Sequence, residues 1–167
     1  MKKWMLVGAF ALTGTIAHAD TGRWTTRETK SELYGSVEYS ASLPSEKPVL
    51  NALNQPQLAA LTLVCGRDGF SIAVVWPDII EKDYSNSNAT MVEWSIDGSK
   101  VKKNLWVANV QTTGLYGRAA KSLVRKLAAG KRFLIYIPDY HGGQEAAFQL
   151  AGLADIQSAV LAMPCSQ

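Results

Sequence analysis

The pair of cysteines, Cys65 and Cys165, constrains the fold of this chain more than any other feature. In an oxidising compartment, an even number of cysteines indicates disulfide pairing, and two cysteines allow one bridge. The bridge would close a loop of about 100 residues, which the chain-entropy model values at ~4–5 kcal/mol. We therefore predict that the C-terminus is tied to a strand in mid-chain. A CxxC motif and a second ligand cluster are missing from the sequence, which argues against a redox or metal role.

The first nineteen residues indicate export. Met1–Lys3 is basic, Trp4–Ile16 is apolar, and Ala17–Ala19 has the small residues of a cleavage site. The apolar segment is shorter than the ~20 residues of a membrane span. We predict that residues 1–19 are a signal peptide and that residues 20–167 form one periplasmic domain without a membrane span.

Alternating apolar residues and turn signals predict antiparallel strands. Leu61 to Trp76 reads as a hairpin around Arg67–Gly69, and Met91 to Ala108 reads as a second hairpin around Asp97–Gly98. An alternating strand around Val37 and a surface loop containing three prolines precede them. The predicted elements before and between the hairpins are a strand at 37–41, a loop at 40–56 and a polar segment at 84–89.

Helical spacing begins only in the second half of the chain. Leu115, Ala119, Leu123 and Leu127 recur every four residues, and Gly130 is placed to end the helix. Two more strands and a closing helix follow at 131–137, 146–150 and 154–163. Strand hairpins combined with two helices predict an α+β fold, in which an antiparallel, sandwich-like β-sheet carries two helices and one disulfide.

The charges are segregated along the chain. Residues 20–99 carry six Lys/Arg and eleven Asp/Glu, whereas residues 100–167 carry nine and three. Arg118, Lys121 and Arg125 share one face of the first predicted helix, and Lys126, Lys131 and Arg132 extend it. This basic face is either a solvated surface or a docking site for an acidic protein. The sequence has no nucleic-acid-binding motif, so we expect a protein partner.

Tryptophan is a second candidate for partner contacts. Trp76 and Trp94 fall on predicted strands, where core packing is the default. Trp24 lies near the predicted mature N-terminus, and an exposed indole there would be a binding anchor. We therefore group Trp24 with Arg118, Lys121 and Arg125 as candidate partner-binding residues.

Catalytic signatures are weak. His141 is the one histidine beyond residue 19, and it stands beside Asp139 in a predicted turn. The carboxylate pairs Glu81–Asp83 and Glu93–Asp97 lie in exposed contexts. The sequence contains neither a Gly-x-Ser-x-Gly elbow nor a phosphate-binding glycine loop. We expect a non-enzyme without metal or cofactor. The alternatives are an inhibitor of a cell-wall hydrolase, with Glu81 and Asp83 as contacts, and a carboxylate-dependent hydrolase.

Four segments carry a family resemblance: Leu61–Cys65, Ile72–Trp76, Val92–Asp97 and Phe148–Leu153. Over about residues 57–165, their layout resembles the VasI/TagO-like proteins associated with type VI secretion. The chain departs from that family at Glu93–Trp94, where an arginine-bearing strand is expected. The resemblance implies a periplasmic accessory protein that acts through protein contacts. It offers no catalytic residues to transfer to this sequence.

Overall fold

A computed structural model describes residues 24–30, 35–83, 88–163 and 165. The predicted signal peptide, residues 1–19, and positions 84–87 of the polar segment lie outside these ranges. The described chain has an α+β fold with the element bounds β1 (Thr25–Lys30), β2 (Val37–Pro44), β3 (Val49–Leu50), β4 (Pro56–Gln57), β5 (Ala60–Gly66), β6 (Gly69–Val75), β7 (Ala89–Ile96), β8 (Lys102–Ala108), β9 (Thr112–Tyr116), α1 (Gly117–Ala128), β10 (Arg132–Ile137), β11 (Gln144–Gln149) and α2 (Leu153–Leu161).

Nine of these strands form one antiparallel sheet in the order β1-β2-β5-β6-β9-β8-β7-β10-β11, and β3 pairs with β4 separately. The loop after β2 contacts the strand at the far end of the sheet, β11. Glu46, just after β2, donates its backbone N–H to the carbonyl of Ala147 on β11 over 2.8 Å. Within the described ranges, neither helix is long and apolar enough to span a bilayer.

Both predicted hairpins are confirmed. In β5 and β6, buried residues alternate with half-buried ones, and Leu63 lies opposite Ile72. The turn between β7 and β8 has positive φ at Asp97 (51°) and Gly98 (70°), which is the geometry that an Asp-Gly hairpin turn requires. The sequence signal was sufficient here because the turn chemistry is local.

The start of the first helix was predicted wrongly. Leu115 belongs to β9, and α1 begins at Gly117. A side chain at Gly114 would place its Cβ 2.6 Å from the carbonyl oxygen of Ile72, so glycine lets β9 lie close to β6. Ala119 is exposed, and the face of α1 that packs on the sheet is Ala120, Leu123, Val124 and Leu127.

The predicted loop at 40–56 is also corrected. Ser40 to Pro44 continues β2, because its inward residues Ala41 and Leu43 are fully buried between β1 and β5. The loop begins at Ser45, whose buried hydroxyl accepts a hydrogen bond from the backbone N–H of Ala59 over 3.1 Å.

The disulfide is confirmed. Cys65 on β5 is bonded to Cys165, which follows α2, and their Cα atoms are 5.6 Å apart. The bridge therefore fastens the end of the chain to a central part of the sheet. Trp76 and Trp94 are buried, as predicted, and Trp106 joins them in the hydrophobic core.

Candidate functional site

Helix α1 presents a cationic face to solvent. Arg118, Arg125 and Lys126 are exposed and Lys121 is half-buried, while the opposite face of the helix packs on β6 and β9. The helix contains no acidic residue. Within the described part of the chain, Arg118, Arg125 and Lys126 form no ion pair. Their charges are therefore available to a partner.

The position of Arg118 does not serve helix stability. The N-terminal end of a helix carries partial positive charge, so a cation in the first turn is unfavourable by a few tenths of a kcal/mol to about 1 kcal/mol. The first turn of α1 has no acid, and Tyr116 at its N-cap makes no side-chain capping bond. Arg125 and Lys126 lie in the last turn, where cations are favourable.

Arg132 is occupied structurally. Its guanidinium Nε and Nη2 donate to the Glu46 carboxylate over 2.8 and 3.2 Å. The hydrogen bond from Arg132 and its positive charge lower the pKa of Glu46, and the same pair raises the pKa of Arg132. This pair links the loop after β2 to β10, so the cationic face is reduced to α1 and the exposed Lys131.

Trp24 does not meet the expectation of an exposed anchor. The residue is only 6% exposed and belongs to the hydrophobic core cluster. Its indole is therefore packed inside the domain, where a partner cannot reach its faces. The sequence missed this because no periodic pattern around Trp24 marks the start of β1.

Asp139 organises a buried polar cluster at the end of β10. Its Oδ2 accepts hydrogen bonds from Trp76 Nε1 at 2.9 Å and from Gln144 Nε2 at 2.7 Å. Its Oδ1 accepts from the backbone N–H groups of His141 and Gly143, both at 3.0 Å. Four donors saturate one carboxylate, which fixes the turn between β10 and β11.

His141 is oriented by Asp78, which sequence reasoning missed. Nδ1 of the imidazole lies 2.7 Å from Oδ2 of the fully buried Asp78, and Nε2 lies 2.9 Å from Asn54 Oδ1. The other Asp78 oxygen accepts from the N–H of Ile79 over 2.7 Å. An acid set among Pro77, Ile79 and Ile80 is the sequence signal that could have indicated a buried carboxylate.

The cluster has the residue types and the spacing of a metal site. It consists of Asp78, Asp139 and His141, and one ligand atom from each lies within 4.8 Å of the others. A cation here would have to displace existing hydrogen bonds, since Asp139 already has four donors and Nδ1 of His141 faces Asp78. To act as a general base, His141 would need a free ring nitrogen. Both of its ring nitrogens are in contact with other side chains, Nδ1 with Asp78 and Nε2 with Asn54. The geometry therefore favours a structural role, in which these hydrogen bonds hold three loops together.

The two members of the predicted carboxylate pair Glu93–Asp97 have different partners. Glu93 forms an ion pair with Lys103, whereas Asp97 accepts hydrogen bonds from the backbone N–H groups of Lys131 and Arg132. Asp97 therefore holds the β7–β8 turn against the start of β10.

Glu81 is exposed and Asp83 is half-buried. Glu81 lines a cavity of about 320 Å³ together with Ile79, Asp139, Tyr140 and Gly142. The predicted pair Glu81–Asp83 thus has one freely accessible carboxylate, that of Glu81, which lies at the edge of the Asp139 cluster.

Comparisons with protein-family models, with curated proteins and with solved structures found no match for this chain. The resemblance to the VasI/TagO-like proteins therefore remains an expectation.

Proposed function

We propose that this chain is an exported, non-catalytic binding domain whose α1 face docks onto an acidic protein of the bacterial envelope. The observation that carries the proposal is the set of four cations on a helix without any acid. Arg118, Lys121 and Arg125 follow a spacing of three and four residues, which places them along one stripe of the helix.

The placement of Arg118 strengthens the argument. A solvated face needs no cation in the first turn, where the helix dipole disfavours it. A docking face gains from a cation at this position, because a longer positive stripe steers an acidic partner and increases the association rate. The sheet and the disulfide supply a rigid support for α1, so little order must be gained on binding.

A periplasmic location fits the N-terminal pattern of residues 1–19 and the Cys65–Cys165 bridge, because disulfides persist in oxidising compartments. The resemblance to the VasI/TagO-like proteins suggests type VI secretion or similar envelope machinery as the setting. The proposal requires only an acidic protein surface on the partner.

Site-specific photo-crosslinking in living cells tests the proposal. A crosslinker replaces Ser122, an exposed α1 residue beside the cationic stripe, or Ser158, an exposed residue of α2. We expect one acidic protein to be captured from position 122 and not from position 158. Capture should be lost in the Arg118→Glu/Lys121→Glu/Arg125→Glu variant.

A matched variant controls for net charge. Arg27→Glu/Lys30→Glu/Lys100→Glu changes the same number of exposed cations outside α1 and should leave the crosslink intact. Equal loss in both variants, or capture that survives reversal of the helix charges, would refute docking through α1.

A second candidate function is inhibition of a cationic cell-wall hydrolase such as lysozyme. The observation that favours it is a projecting group of mixed character: Tyr140 is 74% exposed, Ile79 is 48% exposed, and Glu81 lies beside them. The Tyr140 N–H donates to the Ile79 carbonyl over 3.0 Å, which joins the backbones of the two segments that carry the group. Tyrosine is one of the residues enriched in interface hot spots.

Titrating the protein against lysozyme activity separates the two candidates. Inhibition that is lost in Glu81→Gln/Tyr140→Ala and kept in the helix-reversal variant would favour the inhibitor. Unchanged lysozyme activity at a large excess of the protein would exclude it for that enzyme.

A further inference from the structure

The face of the sheet opposite the buried side of β7 holds a small, acid-flanked cleft. Glu93 on β7, Tyr136 on β10 and Glu145 on β11 are directly opposite one another in register, so all three side chains project from the same face. Neighbouring strands lie about 4.8 Å apart, which places one carboxylate on each side of the tyrosine.

The two carboxylates differ in what already binds them. Glu93 forms an ion pair with Lys103. Glu145 is exposed, and its carboxylate has no hydrogen-bonding or ionic partner within the described ranges. The cleft therefore has an excess of one negative charge after Lys103 is counted.

Ser95 supplies a polar group in the lining of the cleft. The residue is only 6% exposed, lies opposite Leu134 on the same face, and lines the cleft. Its hydroxyl makes no hydrogen bond to any residue that the structure describes. A serine hydroxyl can both donate and accept a hydrogen bond, so this one can bind a polar group of a ligand in the cleft.

The size and lining of the cleft favour a small, unbranched ligand. Its volume is about 230 Å³, below the range of about 300–1,000 Å³ that is typical of pockets for drug-sized ligands. Val101 and Leu134 give it apolar walls. A single aliphatic chain with a polar head fits this combination, because long cationic side chains bury their methylenes and keep the charge at an acid.

Tyr136 is held in place before any ligand arrives. Its hydroxyl donates to the carbonyl of Gly142 over 2.9 Å. A Cβ at Gly143 would clash with the phenol ring, so glycine at this position lets the ring lie against the backbone. A fixed aromatic ring beside two carboxylates attracts cations through both charge and cation–π contact.

We propose that this cleft binds an aliphatic ammonium or guanidinium group, such as the side chain of a lysine or arginine on a protein. Glu145 and Glu93 take the cationic head, Ser95 adds a hydrogen bond, and the walls formed by Val101 and Leu134 take the stem. The site is separate in sequence and charge from the α1 face, and it does not depend on the function proposed for that helix.

Two-dimensional NMR of the full mature chain tests the proposal. The probes are the N-acetyl, N′-methylamide derivatives of lysine, arginine and the neutral isostere norleucine, together with butylamine. We expect saturable shifts at the amides of Ser95, Tyr136 and Glu145 with lysine or arginine, and none with norleucine. A stronger response to the amino-acid probes than to butylamine assigns the site to protein side chains, and the reverse assigns it to free amines.

Glu145→Gln should weaken binding about tenfold, because it removes the unneutralised charge while keeping the side-chain shape. Ser95→Ala should weaken it less, and Glu28→Gln, which changes an exposed acid on β1, should leave it unchanged. The proposal fails if norleucine binds as well as lysine, if no probe gives saturable shifts, or if Glu145→Gln binds like the wild type.

Discussion

The indole Nε1 of Trp76 donates a hydrogen bond to Oδ2 of Asp139 over 2.9 Å, and both residues are almost completely buried. The bond joins the end of β6 to the end of β10, strands that are not neighbours in the sheet. A buried indole N–H is satisfied by the same carboxylate that holds the β10–β11 turn. Core packing and loop geometry are therefore coupled at one side chain.

Replacing Asp139 by alanine should lower the free energy of unfolding by about 3–5 kcal/mol, because four buried or half-buried donors lose their acceptor. Urea unfolding followed by tryptophan fluorescence measures the change. Glu28→Ala, at an exposed acid, serves as the control and should stay within about 0.5 kcal/mol of the wild type. A similar small effect for Asp139→Ala would show that the cluster does not hold the fold.

Removing the disulfide should destabilise the protein by about 2–5 kcal/mol, since a bridge that closes a loop of 100 residues restricts the unfolded chain strongly. Cys65→Ala/Cys165→Ala avoids mispairing, and the reduced wild type should match it in thermal unfolding. Thiol titration of the denatured protein purified from the periplasm should find no free cysteine. Two free thiols there would contradict the bridge and the proposed compartment.

Charge reversals at the two ends of α1 should have opposite effects on stability. Arg118→Glu puts an acid at the positive end of the helix dipole and should raise the free energy of unfolding by about 0.3–1 kcal/mol. Arg125→Glu puts an acid in the last turn and should lower it by a similar amount. Both variants should bind the partner more weakly than the wild type. Denaturant titration checks the signs, and a gain in both stability and binding for Arg118→Glu would contradict our interpretation of this residue.

The Glu46–Arg132 pair should give a pH-dependent part of the stability. The pKa of Glu46 is lowered in the folded state, so its contribution is fully present above the unfolded glutamate pKa of about 4.3. The contribution is lost as the pH falls through the lower, folded pKa. The stability difference between the wild type and Glu46→Gln should therefore be constant near neutral pH and vanish in acid. A difference that grows on acidification would contradict the pairing.

Local chemistry explains what the sequence predicted well. The Asp97–Gly98 turn, the alternation in β5 and β6, and the cysteine pair each depend on nearby residues or on simple counting, and all three are confirmed. The buried face of α1 was only partly identified, because its periodic pattern runs into β9 without a break.

The remaining features depend on contacts between distant segments. Trp24 is buried by the tertiary fold, and Asp78 meets His141 across 63 positions of the sequence. Glu93 and Glu145 flank Tyr136 only because β10 lies between β7 and β11. A single sequence gives no strand order, so neither the polar cluster nor the cleft could be predicted from it.

The most direct measurement is the affinity of the crosslinked partner for three proteins: the wild type, Arg118→Glu/Lys121→Glu/Arg125→Glu, and the matched Arg27→Glu/Lys30→Glu/Lys100→Glu variant. Calorimetry at low and high salt should show strong, salt-sensitive binding for the wild type and the matched variant, and at least about a tenfold loss for the helix variant. Equal affinity of all three proteins, unaffected by salt, would contradict docking through the cationic helix.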